Sequence, residues 1–435
     1  MAPDDVRRSA ARLQVWAYPL VLAQRLRFNF TLPGDPLAPR PAVSAGAPIG
    51  RFGHARALAD PDLRVGVAPN VDTLYSVAWL DLARGPHAVQ LPTVGDRYFS
   101  LQVGKSDTTS PVVISGRTHP GQPPHVVVEP GEPEVVDHGD LVRVATRDRW
   151  LTLVGRTAVD PDSDEDLRAA HAVQDRLVVS SQGSPHAGTV VDDVDVRLAA
   201  VAREREVFEP GAFASAVLRV LDTGGESIES RGLERLLADV GIDELARNRA
   251  APAVVSAVAD GLRDGHRAIE QRVRTLGRTA AGWATNETVA SFGDDHLLRA
   301  AVAHAQIYVN PPEEASYPVC EVDAEGRQLD GSVARYRVRL PAGSPPAAAF
   351  WSLTMYHAAG NLVANDLGRY AVGDRTPGLV RSDDGSLEVD ISAGPPPRGV
   401  SNWLPAPEGP FRLMLRLYWP LEASWRPPAV MRVPA

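Results

Sequence analysis

Three residues in the first quarter of the chain have side chains suited to proton transfer. Asp72 and Tyr75 lie in the segment PNVDTLYS, which begins at Pro69, and Lys105 is the single lysine among 45 basic residues. A carboxylate, a phenol and an amine can each act as a general acid or base, and a lysine can also form an imine with a carbonyl group. Burial beside Asp72 or Tyr75 would lower the pKa of the Lys105 amine and prepare it for these roles. We therefore predict a catalytic group of Lys105, Asp72 and Tyr75.

Each of these residues also has a purely structural interpretation. Asn70 and Asp72 are common turn residues whose side chains cap backbone N–H groups. Lysine is rarely fully buried, so a solvent-exposed Lys105 that follows a strand is the simpler expectation. The burial of Lys105 and its position relative to Tyr75 decide between the two interpretations.

A second group of polar residues marks one passage from a strand into a loop in the C-terminal part of the chain. A polar pocket there would bind substrate, and the expected substrate-binding residues are Asn70, Tyr356, Arg369, Asp374, Arg375 and Asn402. Alternatively, Arg369, Asp374 and Arg375 form an ion-pair network that holds a long loop in place. Tryptophans such as Trp403 could stack against a sugar ring, although core packing is the simpler expectation for them.

The sequence contains none of the common cofactor or nucleophile motifs. We find no G-x-G-x-x-G dinucleotide fingerprint, no G-x-x-x-x-G-K phosphate loop and no G-x-S-x-G elbow. His296 and His304 are eight residues apart on a predicted helix, which is not the i,i+4 spacing that places two ligands on one metal. We therefore expect neither a cofactor nor a metal.

Composition limits the partners and the compartment that we expect. The formal net charge is −9, which opposes binding to a phosphate backbone and excludes a typical nucleic-acid-binding protein. Cys320 is the only cysteine, so no disulfide can form within the chain and a reducing cytoplasm fits. No window approaches the roughly 18 apolar residues of a membrane span, and the N-terminal segment does not resemble a signal peptide. A homo-oligomer is compatible with all of this.

Hydrophobic periodicity predicts an α+β chain of several domains. Short apolar runs separated by turn residues fill the region from about residue 64 to Val154, a pattern typical of a β-sandwich. Helical spacing begins after Ser163, a predicted N-cap, and ends near Asn310. A β pattern then returns, with Gly378–Arg381 and Ser386–Ile391 predicted to form a hairpin through Asp384-Gly385.

These period changes predict three units. Residues 1–160 would form an N-terminal helix and a β-sandwich, 161–310 a helical section, and 311–435 a second β-sandwich. We expect both sandwiches to be antiparallel and similar to a jelly roll. At 435 residues the chain is too long for one ordinary core, which supports a division into domains.

Several long segments resemble one bacterial family. The N-terminal segments are PNVDTLYS from Pro69, AWLDL from Ala78, GDRY from Gly95 and LVGRTAV from Leu153. The later segments are NPPEEASYP from Asn310, FWSLTMYHAAG from Phe350, RYAVGDRTPGL from Arg369 and SNWLPAPEGPFRLMLRLYWP from Ser401. Together they resemble the family that pairs the domains of unknown function numbered 1254 and 1214. The resemblance covers nearly the whole chain and implies two β-sandwich-like domains with a cluster of helices, but it implies no agreed reaction.

The residues therefore lead to a function that is only broadly defined. We expect a cofactor-independent enzyme that acts on a small organic molecule by acid–base chemistry, as a lyase, isomerase or hydrolase of specialised metabolism. Its pocket would lie between the two β domains, because domain interfaces are preferred positions for such sites. The alternative is a protein that binds a small molecule or a carbohydrate without catalysis. A purely structural role is a third hypothesis.

Overall fold

The computed structural model describes residues 2–32, 40–63, 68–181, 208–223, 231–287 and 292–433. These residues form an α+β chain with two β-sandwiches and a group of helices, which confirms the predicted fold class. Residues 64–67, where the predicted β pattern begins, lie outside the described residues. So do 182–207, 224–230 and 288–291 of the predicted helical section.

The N-terminal sandwich consists of two five-stranded sheets. Its strands are β1 (Gly53–His54), β2 (Thr73–Asp81), β3 (His87–Gln90), β4 (Phe99–Gly104), β5 (Val112–Ser115), β6 (His125–Pro130), β7 (Glu134–Asp137), β8 (Leu141–Thr146), β9 (Trp150–Ala158) and β10 (Val178–Ser181). The first sheet has the order β1-β2-β9-β4-β5 and the second β10-β3-β6-β8-β7. Neighbouring strands are antiparallel except for the parallel pair β6 and β8.

Alternation along the strands of the first sheet separates a core face from an outer face. Ala78 and Leu80 of β2 pack into the core between the two sheets. Tyr75, Val77 and Trp79 of the same strand lie on the outer face, because successive side chains of a strand point to opposite sides. The outer face of this sheet is therefore available to another part of the chain.

The C-terminal sandwich consists of a seven-stranded and a four-stranded sheet. Its strands are β11 (Arg278–Ala280), β12 (Trp283–Thr285), β13 (Ala315–Ser316), β14 (Val319–Cys320), β15 (Arg335–Leu340), β16 (Ala347–His357), β17 (Ala371–Gly373), β18 (Leu387–Ser392), β19 (Trp403–Pro405), β20 (Phe411–Pro420) and β21 (Met431–Val433). The larger sheet has the order β11-β12-β14-β20-β16-β17, with β13 also paired to β20, and the smaller one β19-β18-β15-β21. Only β18 and β19 are parallel.

The described part of the chain contains seven α-helices, and five of them share a third hydrophobic core. The seven helices are α1 (Pro3–Thr31), α2 (Asp164–Gln174), α3 (Pro210–Thr223), α4 (Leu233–Val240), α5 (Ile242–Ala246), α6 (Pro252–Val273) and α7 (His296–Gln306). Gly261 and Gly265 of α6 let this helix approach α1 closely, because a Cβ at these positions would lie 2.3 and 2.6 Å from backbone oxygens of α1. No described helix is long and apolar enough to cross a membrane.

The local predictions differ in their outcome. The Ser163 side chain accepts a hydrogen bond from the Asp166 N–H at the start of α2, which confirms the predicted N-cap. The predicted strand Gly378–Arg381 is wrong, and so is its hairpin, because the backbone of Val380 bonds instead to the side chain of Asn402.

The domain boundaries at 160 and 310 stay predictions. Two sets of contacts cross these boundaries. Helix α1 packs on helices of the middle section, and β11 and β12 pair into the C-terminal sheet.

Candidate functional site

The outer faces of the two sandwiches meet, and their polar residues come together at this interface. Tyr75 of β2 is paired across the strands with Arg156 of β9, so both side chains lie on the same outer face. In the C-terminal sheet, Ser352 of β16 is paired with Arg416 of β20 in the same way. The Asn70 amide donates a 2.9 Å hydrogen bond to the Tyr418 hydroxyl across the interface.

A cavity of about 110 Å³ lies between these faces. Its lining includes Asn70 and Tyr75 before and in β2, Arg156 of β9, Tyr317, and Arg416 of β20. The end of α7 and the chain that follows it close another side through Gln306 to Val309. Four distant parts of the sequence therefore meet at one cavity.

Arg156 is buried against neutral hydrogen-bond acceptors. One terminal nitrogen donates to Gln102 Oε1 at 2.8 Å and to Asn310 Oδ1 at 3.0 Å, and the other donates to the Tyr308 carbonyl at 3.1 Å. Only 5% of the residue surface is exposed. The guanidinium is thus fixed in position without a carboxylate partner among the described residues.

Arg416 is held in a similar way from the C-terminal side. Its terminal nitrogens donate to Thr354 Oγ1 at 2.7 Å, to the Tyr356 hydroxyl at 2.7 Å and to the Ala68 carbonyl at 3.0 Å. The Tyr356 hydroxyl in turn donates to the Pro69 carbonyl at 2.6 Å. Tyr356, predicted to bind substrate, therefore positions Arg416 and the segment that leads into β2.

Tyr75 lies where these charges act together. Burial by itself would raise the pKa of its hydroxyl, but the positive charge of Arg156 opposes this effect. Donors on Asn70 and Arg156 and the charge of Arg416 act in the same direction, and the pKa of Tyr75 falls below its ordinary value. Burial has the opposite result at the neighbouring Tyr317, whose pKa rises to about 12. The two phenols of one cavity therefore differ in acidity, and Tyr75 is the more acidic.

Glu314 fixes the chain segment that covers this cavity. Its carboxylate is fully buried and accepts hydrogen bonds from the Tyr98 hydroxyl at 2.9 Å and the Ser115 hydroxyl at 2.8 Å. The Trp419 indole and the Arg117 guanidinium donate to it at 3.0 and 3.3 Å. Donors from both sandwiches thus converge on one side chain.

A larger cavity of about 340 Å³ lies on the other side of the segment that leads into β2. Asp72, Ser352, Arg369 and Arg375 contribute to its lining. Here the charges are compensated: Asp72 accepts a 2.6 Å hydrogen bond from the Ser352 hydroxyl and lies 3.6 Å from a terminal nitrogen of Arg375. Arg375 also stacks on the Phe350 ring at 3.9 Å and donates to the Val159 carbonyl at 3.0 Å.

The remaining predicted substrate-binding residues mainly support loops. One terminal nitrogen of Arg369 donates to the backbone carbonyls of residues 400, 401 and 403. Asp374 accepts from the Trp351 N–H at 3.3 Å, and burial raises the pKa of its carboxyl group. Asn402 holds the Val380 backbone through bonds in both directions. Arg369 therefore fastens its loop through carbonyl groups rather than through an ion pair with Asp374.

Lys105 does not join Asp72 or Tyr75. Its ammonium nitrogen lies 3.7 Å from the fully buried carboxylate of Asp148, and 15% of its side chain is exposed. Lys105 follows Gly104, and Gly104 pairs with Thr152 of β9. Tyr75 pairs with Arg156, which lies four residues further along the same strand. At roughly 3.3 Å per residue this separates Lys105 from Tyr75 by more than about 13 Å. Lys105 is thus more buried than the simpler, solvent-exposed interpretation expects, but its partner is Asp148 rather than Asp72 or Tyr75.

The sequence analysis did not identify Arg156, Arg416 or Tyr317 as site residues. Arg156 is the single charged residue of the apolar segment LTLVGRTAV, and Arg416 shares the apolar strand FRLMLRLYWP with Arg412. A charge inside such a strand is a usable signal, because a buried strand tolerates it only with specific partners. Among the described residues, no three His, Cys, Asp or Glu side chains are placed to bind a metal.

Comparison with known proteins identifies two matching domain families and a shared fold. The model of the protein of unknown function DUF1254 matches residues 49–181, and that of the protein of unknown function DUF1214 matches residues 314–422. A Vibrio parahaemolyticus protein of known crystal structure is 21% identical over 100% of both chains, with a TM-score of 0.65. An uncharacterised Burkholderia cenocepacia protein is 13% identical over 99% of this chain and 94% of its own, with a TM-score of 0.49. No curated protein matches.

Proposed function

We propose that this chain, which belongs to the family that pairs DUF1254 with DUF1214, is an enzyme that performs acid–base chemistry on a small organic molecule between its two sandwiches. A lyase, an isomerase or a hydrolase fits this description. The absence of dinucleotide and phosphate-loop motifs from the sequence supports chemistry without a nucleotide cofactor.

One observation carries this proposal: a partly buried tyrosine lines the same cavity as two buried guanidinium groups. Tyr75 is the proton-transfer group. Arg156 stabilises its phenolate, and the lowered pKa of Tyr75 brings the hydroxyl closer to neutral pH, where a general acid–base group is most effective. Tyr317, whose pKa is raised to about 12, stays protonated and serves as a hydrogen-bond donor.

The position of the cavity supports catalysis rather than binding without catalysis. Its walls come from β2, β9, β20 and the segment after α7, so the reacting groups stand on packed strands and not on mobile loops. Groups placed on rigid elements hold the geometry that proton transfer needs. Trp403, a candidate for sugar stacking, is buried and donates to the Ser392 carbonyl, which does not favour a carbohydrate-binding surface there.

The test uses the full chain and a panel of small organic acids, esters, hydroxy compounds and carbonyl compounds in D₂O. Proton NMR detects exchange, elimination, isomerisation and hydrolysis in the same experiment. We expect the wild type to convert at least one compound, and Tyr75→Phe to reduce its kcat by about 10²- to 10⁴-fold, the usual contribution of a general acid or base.

Tyr336→Phe is the matched control. Tyr336 is also a buried tyrosine, and its hydroxyl donates to the Asp330 carbonyl inside the C-terminal sandwich, away from the cavity. This variant should keep its kcat. Full turnover in Tyr75→Phe would contradict the role of Tyr75. Tight binding without turnover of any compound in the panel would instead favour the non-catalytic binding protein.

A further inference from the structure

We propose that Arg156 and Arg416 bind the carboxylate group of a small organic acid in the cavity between the sandwiches. This inference rests on the proposed function, because it names the substrate class of the same site. Each sandwich supplies one of the two arginines, Arg156 from β9 and Arg416 from β20.

The first step of the argument is the uncompensated charge of the two arginines. Both are at least 95% buried, and a guanidinium keeps its proton at any ordinary pH. A buried cation is strongly unfavourable unless an anion pairs with it. The bonds of both residues within the described part of the chain go to amide, hydroxyl and carbonyl oxygens, and none goes to a carboxylate.

The second step compares these residues with the carboxylates and arginines nearby. Asp72 acts electrostatically on Arg416, but its own oxygens are engaged by Ser352 and Arg375. Arg299, a similarly buried arginine outside the cavity, lies 3.8 Å from the Asp107 carboxylate. Among the described residues, a carboxylate therefore lies within 4 Å of Arg299, whereas none forms an ion pair with Arg156 or Arg416.

The third step selects a carboxylate over a phosphate. Two planar guanidinium groups suit the two oxygens of a carboxylate, which they can bind through paired hydrogen bonds. Phosphate sites commonly use a helix N-terminus or a glycine-rich loop, whereas this cavity meets α7 at its C-terminal end and has no glycine among its described lining residues. Its volume of about 110 Å³ is smaller than the engineered cavity of about 150 Å³ that binds benzene. The carboxylate end of a short-chain acid fits this space.

The test measures binding rather than turnover, with propanoate and its neutral isostere propanamide as probes and the full chain in a calorimeter. We expect propanoate to bind at least about tenfold more tightly than propanamide, since hydrogen bonds between charged partners are the strong ones. Arg156→Met and Arg416→Met should each remove this preference. Arg299→Met, which removes a buried arginine outside the cavity, is the matched control and should keep it.

A second measurement on the wild type keeps the proposal testable if an arginine variant does not fold. A bound carboxylate neutralises part of the charge that favours the Tyr75 phenolate. Propanoate should therefore move the alkaline ultraviolet transition of Tyr75, identified by its loss in Tyr75→Phe, to higher pH, and propanamide should leave it in place.

Failure of this inference is separable from failure of the proposed function. Equal binding of propanoate and propanamide overturns the carboxylate site, even if Tyr75→Phe abolishes turnover. Inorganic phosphate that binds tenfold more tightly than propanoate overturns the choice of carboxylate. A propanoate preference that depends on both arginines supports the inference even if no compound is converted, because Tyr75→Phe should keep propanoate affinity within about threefold.

Discussion

Replacing Glu314 by leucine removes the carboxylate on which donors from both sandwiches converge. The hydroxyls of Tyr98 and Ser115 and the Trp419 indole lie 2.8 to 3.0 Å from its oxygens, and the Arg117 guanidinium lies at 3.3 Å. Leucine fills much of the same space but accepts no hydrogen bond. The variant therefore leaves a polar cluster without its acceptor at the interface that forms the cavity.

The free-energy change follows from these contacts. Each hydrogen bond to a charged group contributes about 1.5–3 kcal/mol, and each buried donor left without an acceptor costs about 1–3 kcal/mol. Arg117, with 36% of its side chain exposed, recovers its hydration, and the Tyr98 hydroxyl keeps Ser100 Oγ as an acceptor at 3.1 Å. The loss therefore falls mainly on Ser115 and Trp419. Removing the desolvated carboxylate offsets part of this loss. We expect Glu314→Leu to lower the free energy of unfolding by about 4 kcal/mol, within the usual range for breaking a buried charged pair.

Urea unfolding followed by tryptophan fluorescence measures this change. Glu313→Leu is the matched control: its side chain is the exposed neighbour of Glu314, so this variant should stay within about 0.5 kcal/mol of the wild type. Glu314→Gln, which keeps one acceptor oxygen, should fall between the two. A loss below about 1 kcal/mol in Glu314→Leu would refute the view that this carboxylate holds the sandwiches together.

Three further predictions concern single positions. Lys105→Met should lower the free energy of unfolding by about 1–3 kcal/mol, because it removes a partner of the buried Asp148 carboxylate. The variant should keep its turnover in the NMR panel. Lost turnover at unchanged stability would instead support the catalytic role predicted for Lys105. Gly104→Ala places a Cβ 2.6 Å from the Tyr308 ring and should cost about 1–3 kcal/mol in urea unfolding, and an unchanged midpoint would contradict this close contact. The lowered pKa of Tyr75 makes its contribution to stability complete above the unfolded pKa of about 10. This contribution is lost as the pH falls through the pKa of Tyr75 in the folded state. The difference in unfolding free energy between wild type and Tyr75→Phe should therefore grow as the pH rises from the folded pKa to the unfolded pKa. A difference independent of pH would be evidence against the lowered pKa.

The period of the apolar residues was sufficient to predict most of the elements. The predicted strand Ser386–Ile391 corresponds to Leu387–Ser392, and the helical spacing predicted after Ser163 begins with the helix Asp164–Gln174, because alternation and helical spacing are local signals. The strand predicted at Gly378–Arg381 failed because its backbone partner is a side chain, Asn402, which lies far along the sequence. A contact of this kind produces no periodic pattern of apolar residues in the sequence.

The candidate site was only half visible in the sequence. Asn70 and Tyr75 stood out because turn residues and a phenol occur together in one short segment. Arg156 and Arg416 did not, because 44 of the 45 basic residues are arginine and no local pattern shows that two outer faces will meet. Lys105 stood out for its rarity, which is a property of composition and not of position. The packing of two sheets against each other decided which charges are buried.

The division of the two arginines between the sandwiches has a consequence for how such a chain can evolve. Each sandwich has its own apolar core, but a fission event would also divide the apolar cluster that joins Tyr98 of one sandwich to Phe350 and Tyr418 of the other. Neither half would inherit the cavity, since Arg156 would remain with one product and Arg416 with the other. Selection for the cavity would therefore favour genes that encode both sandwiches in one reading frame. Compensating substitutions should arise in pairs, with one in each sandwich at the interface.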